Sequence, residues 1–587
     1  MANMVNVTIN GKVYEVKENA TILEAARGAN IDIPTLCYLK DINEIGACRM
    51  CLVEIEGMRT LQAACVYPVR EGMVIQTRSP RVRAARRMNL ELILSNHERS
   101  CYQCIKNNHC ELRKLAGQMG IDDIRFDVEP PKATKDASNA SIVRNNAKCI
   151  LCRRCVAVCK HIQKVEAIDA TMRGMNTSIT NAFDRPTEDS ECILCGQCIT
   201  VCPTGALREK RCIDQVFEEL DNPKKHVVVQ IAPAVRAALG EEFNIPMGTN
   251  VAGKIANAAR KLGFDRVFDT NTGADLTIME EGHELLHRVQ NGGKLPMITS
   301  CSPGWIKYCE HFYPEFIDNL SSCKSPHMMF GAIIKSYYAK KENIDPKDIV
   351  VVSVMPCVAK KYENSRPEFV VDGVRDVDYV ITTRELAAMI KTASINFEYL
   401  EDETFDSPFP NTDSGAAVIF GVTGGVMEAA IRTVAEKLIG HELQSVDFRE
   451  ARGPKGTKEV YVNAGGITLN GLVISGVGNA KDILEEIKAN DGASKYHFIE
   501  VMGCPGGCIM GGGQPIYDSV TREHVDIFKK RSSVLYDADS KAPIRKSHEN
   551  PDIISLYDEF LKEPNSEVAH KYLHTHYTPR GRFGKID

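Results

Sequence analysis

Cys149-Ile-Leu-Cys-Arg-Arg-Cys-Val-Ala-Val-Cys159 and Cys192-Ile-Leu-Cys-Gly-Gln-Cys-Ile-Thr-Val-Cys202-Pro203 are two copies of one ligand pattern. Each copy reads C-x2-C-x2-C-x3-C, at Cys149, Cys152, Cys155 and Cys159 and again at Cys192, Cys195, Cys198 and Cys202. Three cysteines within two turns of chain bring three thiolates to one iron–sulfur cubane, and the fourth cysteine of each run ligates the other cluster. That exchange forces two 4Fe–4S clusters close together, where they pass electrons. C-x2-C pairs also hold zinc, but two complete halves with the terminal Cys-Pro argue against it. The stretch is a wire, and the remaining sequence must supply its two ends.

Upstream, residues 4–17 alternate apolar and polar around Asn10-Gly11, a hairpin signal. Thr21 then caps a short helix, Ile22 to Arg27. Hairpin followed by helix is the opening of a β-grasp domain. Cys37, Cys48, Cys51 and Cys65 follow, two of them in the Gly-led loop Gly46-Ala-Cys-Arg-Met-Cys. The spacing resembles a plant-type 2Fe–2S site stretched between its first two ligands, with zinc as the alternative. Residues 80–96 read as a basic-edged helix leading into His97-x3-Cys101-x2-Cys104-x5-Cys110. A His beside three cysteines that lack a fourth partner reads as a ligand of a 4Fe–4S cluster. Three Cys and one His also suit zinc. Both segments are similar to successive regions of the large iron–sulfur subunit of respiratory NADH dehydrogenase, and the octet is similar to bacterial two-cluster ferredoxins.

Composition bounds the rest. The chain has 587 residues, enough for about three to five domains, and a net charge of −5 that suggests neither nucleic acid nor an anionic membrane as partner. No apolar stretch approaches the roughly 20 residues of a membrane span, and Met1-Ala-Asn-Met-Val has no signal-peptide pattern. Twenty-two cysteines without such a signal point to metal ligation in a reducing cytoplasm. Pro130-Pro131 through Asn139 reads as a linker.

From about residue 222 apolar strands at 227–231, 265–268, 295–299, 349–355, 376–381 and 497–502 alternate with helical patterns, an α/β arrangement with mostly parallel strands. Three cysteine motifs sit at strand ends, where α/β proteins place their sites. They are Thr299-Ser-Cys301-Ser-Pro-Gly-Trp305, Met355-Pro-Cys357-Val-Ala-Lys360, and Glu500-Val-Met502-Gly-Cys504-Pro-Gly-Gly-Cys508. By themselves they predict a cubane held by ligands distant in sequence, and no reaction. Gly421-Val-Thr-Gly-Gly-Val follows an apolar strand but lacks the G-x-G-x-x-G order, so no dinucleotide site is expected.

These three motifs resemble the signature segments of iron-only (di-iron) hydrogenases over roughly 222–515, and the first 220 residues resemble the accessory domains of the large multi-cluster members. The resemblance implies a multidomain α+β and α/β protein. Its parts would be a β-grasp 2Fe–2S domain at 1–79, a His-ligated 4Fe–4S domain at 80–137 and a two-cluster ferredoxin domain at 138–221. A catalytic H-cluster domain at 222–515 and a helical tail at 516–587, resembling the family's small subunit, would follow. The implied cofactors are one 2Fe–2S cluster, three accessory 4Fe–4S clusters, and the H-cluster, a 4Fe–4S cubane joined to a di-iron centre carrying CO, cyanide and azadithiolate. Cys508 matches the bridging ligand, and Cys357 and Cys504 match two more cubane ligands. Lys360 matches a cyanide-binding residue, Met355 and Met502 match pocket sulfurs, and Ala232 and Pro233 match backbone around the other cyanide. Glu281, Ser321, Glu284 and Arg288 match a proton relay. The implied activity is reversible reduction of protons to H2, with ferredoxin or an NAD(P)-linked flavin subunit as electron partner and with dedicated maturation proteins.

One segment departs from the pattern. The family commonly reads Thr-Ser-Cys-Cys-Pro, the first Cys serving the relay and the second the cubane. Here Cys301 falls on the relay position and Ser302 on the ligand position. Either Ser302 ligates iron, or Cys301 does so and Ser302 serves the relay. Cys212, Cys309 and Cys323 have no metal-like neighbours in sequence and read as packing thiols. His574 and His576 near the end read as packing or solvated residues, with a zinc or nickel pair as the alternative. No cysteine follows Cys508, so the C-terminal 2Fe–2S domain of some bifurcating relatives is not expected. Two other readings compete: a pure electron-transfer subunit, which gives no use for Cys357, Cys504 and Cys508, and a hydrogen sensor, which the Ser302 departure keeps open.

Overall fold

The computed structural model describes residues 3–126, 134–407, 414–464 and 466–581. The N-terminal hairpin pairs Met4–Ile9 with Lys12–Lys17. Asn10 (φ 51°) and Gly11 (φ 87°) supply the left-handed turn that matches strand twist. Val74–Gln76 returns in parallel beside the first strand, giving a five-stranded sheet. Helix Ile22–Gly28 crosses it, started by a reciprocal capping box between Thr21 and Glu24. The expected β-grasp is therefore present. Helix Pro80–Ser95, with Ser79 as cap, packs back on it, buried Arg86 donating to the Leu52 carbonyl at 2.6 Å.

The polar stretch read as a linker behaves differently. Residues 127–133 lie outside the described part. Lys135–Asp136 forms a strand against Ile142–Asn145, in a three-stranded sheet completed by Leu207–Glu209. Asp136 accepts from the backbone and hydroxyl of Thr187, so this end of the supposed linker belongs to the cysteine-octet unit.

The α/β part consists of two four-stranded sheets. In the first, His226–Ile231 and Ile349–Met355 lie at the centre, flanked by Arg266–Asp269 and Tyr379–Thr382, all parallel. Every residue of Ile349–Met355 is buried, as a central strand covered on both faces requires. In the second, Phe498–Met502 runs parallel to Met297–Ile298 and Ile467–Ser475, and Thr457–Ala464 is antiparallel at the edge. That edge hairpin, and the division into two sheets, are not evident in the sequence. The C-terminal ends of His226–Ile231, Ile349–Met355, Met297–Ile298 and Phe498–Met502 converge on one cavity.

The tail after residue 516 is helical, as expected, and returns to the catalytic part. Buried Arg432 pairs with Asp539 of helix Ile527–Lys541 at 2.8 Å. Near its end the tail pairs with residues 322–324: Lys324 N–H donates to the Leu573 carbonyl and Thr575 N–H to the Ser322 carbonyl, both at 2.8 Å. His574 is buried and His576 exposed, so the two do not act as a pair.

The Gly421–Gly425 segment is no phosphate loop. It starts helix Gly425–Ile439, and the carboxylate of buried Glu500 occupies that helix N-terminus. Gly424 N–H and Met427 N–H donate to it at 2.6 and 2.7 Å. Burial pushes the Glu500 carboxyl up, while these backbone donors and Lys458 pull it down. Burial likewise lowers Lys458, to about 8. Glu500→Ala strands buried N–H donors, so it is expected to destabilise this region by about 2–5 kcal/mol. Glu500→Gln recovers part of the loss. Hydrogen exchange at the Gly424 and Met427 amides measures both.

Candidate functional site

The first cysteine group comprises two thiol pairs. Cys51 Sγ lies 3.3 Å from Cys65 Sγ, and Cys37 and Cys48 contact each other in the same way. Two pairs of converging thiols are what two iron atoms bridged by sulfide require. The connecting loop needs Gly46 (φ 62°) and Arg49 (φ 54°) to turn its ligands inward. His97 is largely shielded and its Nδ1 has no hydrogen-bond partner. Burial pushes this imidazole down to about 4, which keeps it neutral and able to ligate. Cys101 and Cys104 share a tight turn, and the Cys104 and Cys110 thiols act on each other electrostatically.

The octet repeats in conformation as well as in sequence. Leu151 and Arg153 have positive φ (52° and 59°), and their counterparts Leu194 and Gly196 do too (55° and 73°). The Cys202 thiol acts on Cys149, Cys152 and Cys155, whereas Cys159 acts on Cys192, Cys195 and Cys198. These influences are the pattern that ligand exchange between the two runs would give. Burial pushes Cys152 and Cys195 up to about 12, so bound cations must accompany their ionisation.

Contacts between these groups set an order. Asn43 Nδ2 donates to the carbonyl oxygens of Cys37 (2.7 Å) and Cys152 (3.0 Å), tying the first group to one half of the octet. The His97 group adjoins the same half: Glu111 N–H donates to Pro203 O at 3.0 Å, and a Cβ on Gly205 would lie 2.5 Å from Cys104 Sγ. The other half faces the catalytic part. A Cβ on Gly512 would lie 2.5 Å from the Cys195 carbonyl oxygen. Gln163 Nε2 donates to Gly503 O at 3.0 Å.

The cavity between the two sheets is lined by all ten pocket residues named from the sequence: Ala232, Pro233, Cys301, Ser302, Met355, Cys357, Lys360, Met502, Cys504 and Cys508. Cys504 is acted on by Cys357, Cys508 and Cys195. Burial pushes Cys508 up to about 12, with Cys357 adding to the effect. Three thiols of this kind, buried at converging strand ends, fit a cubane beside the octet. Cys301 and Ser302 face different ways. Ser302 Oγ accepts from Gly503 N–H at 3.1 Å, next to Cys504. Cys301 is acted on first by burial and then by Glu281. Lys360 donates to Cys301 O at 3.0 Å and pairs with Glu363 at 2.8 Å. Glu363 also meets His327 at 2.7 Å. Burial raises the Glu363 carboxyl, but Lys360 and His327 outweigh it and hold the group at about 2. Burial lowers His327 to about 4, with Lys360 adding. His327, Thr270 and Phe420 line the cavity and are missed by sequence reading, because nothing local marks them.

The relay residues lie together. Ser321 Oγ donates to Glu284 Oε2 at 3.0 Å, and Arg288 pairs with Glu284 at 2.6 Å. Arg288 also donates to the carbonyls of Lys294, Asp318, Asn319 and Leu320, which fix it near the surface. Glu281 is buried and neither carboxylate oxygen has a hydrogen-bond partner in the described structure. Burial, then the Glu284 charge, push it up to about 8.

The chain matches the model for the C-terminal domain of the iron-only hydrogenase large subunit over residues 225–512, and that for the iron hydrogenase small subunit over 525–580. A 2Fe–2S iron–sulfur cluster binding domain matches 2–80, an NADH-ubiquinone oxidoreductase-G iron–sulfur binding region 86–125, and a 4Fe–4S dicluster domain 142–206. The NADP-reducing hydrogenase subunit HndD of Solidesulfovibrio fructosivorans is 49% identical over 99% of this chain and 100% of its own. Iron hydrogenase 1 of Clostridium pasteurianum is 43% identical over 98% of this chain and 100% of its own. A solved apo [FeFe]-hydrogenase from Chlamydomonas reinhardtii aligns with a TM-score of 0.56 at 43% identity, covering 63% of this chain and 99% of that one.

Glu281 is expected to titrate near pH 8, protonated below and ionised above. Difference infrared spectra across pH 6–10 (roughly two units either side) check this. A protonated-carboxyl band lost with a midpoint near 8, and absent in Glu281→Gln, is the expected result.

Proposed function

The chain belongs to the iron-only hydrogenase family and is a hydrogenase carrying iron–sulfur cofactors, and we propose that the pocket between its two sheets interconverts two protons and two electrons with H2. The observation that carries this is the convergence of Cys357, Cys504 and Cys508 in one cavity that Cys301 also lines, with Glu281 close enough to influence its thiol. Cys357, Cys504 and Cys508, with Ser302 as the oxygen donor nearest Cys504, would hold the cubane, and the di-iron group would supply the metal at which the H–H bond forms or breaks. The fit rests on the buried thiol set and on Lys360, whose ammonium offers a charge-assisted donor to an anionic ligand. Glu363 and the Cys301 carbonyl aim that ammonium into the pocket. Met355 and Met502 line the pocket with apolar sulfur, and Ala232 and Pro233 offer backbone where a side chain would fill the space.

In this reading the Cys301 thiol carries a proton between pocket and Glu281. Glu281, with no fixed partner and a proton affinity matched to neutral pH, takes and gives it readily. The Ser321 hydroxyl passes it to Glu284, and Arg288 holds Glu284 in position while the outer carboxylate exchanges with solvent. Electrons arrive separately. The 2Fe–2S group of Cys37, Cys48, Cys51 and Cys65 and the His97, Cys101, Cys104 and Cys110 group both adjoin the first half of the octet. The second half leads to Cys504. This supports two branches converging on one wire. One 2Fe–2S and three accessory 4Fe–4S clusters account for every ligand outside the catalytic pocket. The likeness to an NADP-reducing subunit supports an NAD(P)-linked flavin-containing partner over ferredoxin alone. It also supports a catalytic role over sensing. The domain limits 1–79, 80–137, 138–221, 222–515 and 516–587 remain our division, with the last limb of 80–137 assigned to the octet unit. Among the described residues no helix is long and apolar enough to cross a membrane, which accords with a cytoplasmic location.

Protein matured with the di-iron cofactor is expected to evolve H2 from reduced viologen and to show infrared bands of CO and cyanide. Absence of those bands after competent maturation counts against the reading. Cys301→Ala should keep the cubane's magnetic signal while turnover falls about 10²–10⁴-fold. Loss of the cubane itself would instead assign Cys301 as its ligand. Ser302→Cys should shift that signal and leave turnover measurable.

Cys65→Ser should remove only the first branch. Evolution of H2 with small artificial donors is expected to survive, and coupling to a protein donor docking on the N-terminal domain to fall sharply. Equal loss with both donors, in protein that keeps its other clusters, would indicate one linear wire.

A further inference from the structure

Cys323 reads from sequence as a packing thiol without metal-like neighbours, and His574 as a packing histidine. Cys323 is packed in the core as read, but folding also gives it metal-like neighbours from far along the chain. Ligand atoms of Glu284, Cys323 and His574 all lie within 4.8 Å of one another. Cys323 Sγ is 3.9 Å from Glu284 Oε2. His574 forms a β-bridge with Cys323 as the tail pairs against the catalytic part.

We propose that Glu284, Cys323 and His574 form a zinc-binding site at the outer end of the proton relay, so that Zn2+ is a reversible inhibitor of this enzyme. A tetrahedral site with bonds of about 2.0–2.3 Å sets its ligands roughly 3.3–3.8 Å apart. The three groups therefore close in by about an ångström, within reach of side-chain rotation. One thiolate, one imidazole and one carboxylate suit zinc and not magnesium or calcium. The fourth position falls to water or to the Ser322 hydroxyl, which already contacts both Glu284 Oε2 (3.2 Å) and His574 Nδ1 (2.8 Å).

The surroundings are built for such a site. With Nδ1 as ligand, His574 Nε2–H points to Glu280 Oε2 at 3.0 Å. Glu280 is fully buried and is fixed by the Tyr557 hydroxyl and by Asn565 N–H at 2.8 Å. A carboxylate behind a ligating histidine orients the ring and raises its basicity. The opposing charge is Arg288, which holds Glu284 Oε1; Oε2 accepts from Ser321 and Ser322, hydrogen bonds that a bound metal would replace in part. Exposed His570 stacks on His574 with ring centroids 4.1 Å apart, a first contact for an incoming cation. Binding releases one proton from the Cys323 thiol, and no redox change is involved. The site stands on this geometry alone. Its effect on turnover rests on the relay reading: a cation on Glu284 Oε2 removes the acceptor of the Ser321 hydroxyl.

The test uses cluster-loaded enzyme under anaerobic conditions, dialysed against zinc sulfate, with iron content followed throughout. One zinc per chain is expected, with X-ray absorption showing one sulfur at about 2.3 Å and nitrogen and oxygen at about 2.0–2.2 Å. H2 evolution from reduced viologen should fall and recover with chelator. Cys323→Ala should turn over normally without zinc, bind zinc at least about tenfold more weakly, and resist inhibition. His574→Gln, which keeps hydrogen-bonding capacity, should weaken zinc in the same way. Equal zinc binding by wild type and both variants, or zinc uptake matched by iron loss, overturns the site. Zinc bound with a sulfur ligand while turnover is unchanged supports the site and tells against Glu284 as a relay group.

Discussion

Buried thiols cannot stay ionised unaided, and that constraint governs the whole molecule. Burial pushes the octet and pocket cysteines upward, and each thiol in a group raises its neighbours further. Only a multivalent cationic centre makes such groups stable as thiolates. Cluster binding is therefore folding free energy here. The octet halves show how little else holds them: short helices of four and five residues, joined to left-handed turns whose purpose is to aim sulfur inward.

In the proposed reading electrons and protons travel by separate routes. The octet packs closely on the Gly512 face of the catalytic pocket, and Gln163, Gln197 and Lys307 tie the two parts by side-chain to backbone hydrogen bonds. The residues of the proposed relay include Glu281 and Glu284 on one helix, Asn271–Asn291. Spacing three residues apart puts both carboxylates on one face. Their environments then separate them: burial dominates at Glu281, and Glu284 is held by Arg288, Ser321 and Ser322.

Much of this was legible in the sequence where chemistry is local. C-x2-C-x2-C-x3-C dictates a turn and a ligand exchange, Asn10-Gly11 dictates a hairpin, and cysteines after apolar runs mark strand ends. The relay was legible only through register against the signature segments. Long-range partners were not: Glu500 at the start of helix Gly425–Ile439, Glu363 and His327 behind Lys360, Cys323 beside His574. A carboxylate's partner hundreds of residues away leaves no periodic trace. The linker reading failed for a related reason, since polarity at 134–139 serves Asp136 as an acceptor for Thr187. Sequence left Cys301 and Ser302 open to either role. The structure adds one geometric fact, the bond from Gly503 N–H to Ser302 Oγ, and the proposed reading builds on it.

The seam between residues 322–324 and 573–575 carries a temporal consequence. His574 and Thr575 are synthesised after every cysteine of the chain, so the outer end of the proposed proton path is framed only when all the cysteine-bearing segments already exist. A growing chain can gather its iron-binding loops while the route to solvent is still unfinished. Docking of helix Glu567–Leu573 closes the seam, which ties completion of the proposed conduit to chain made after Cys508.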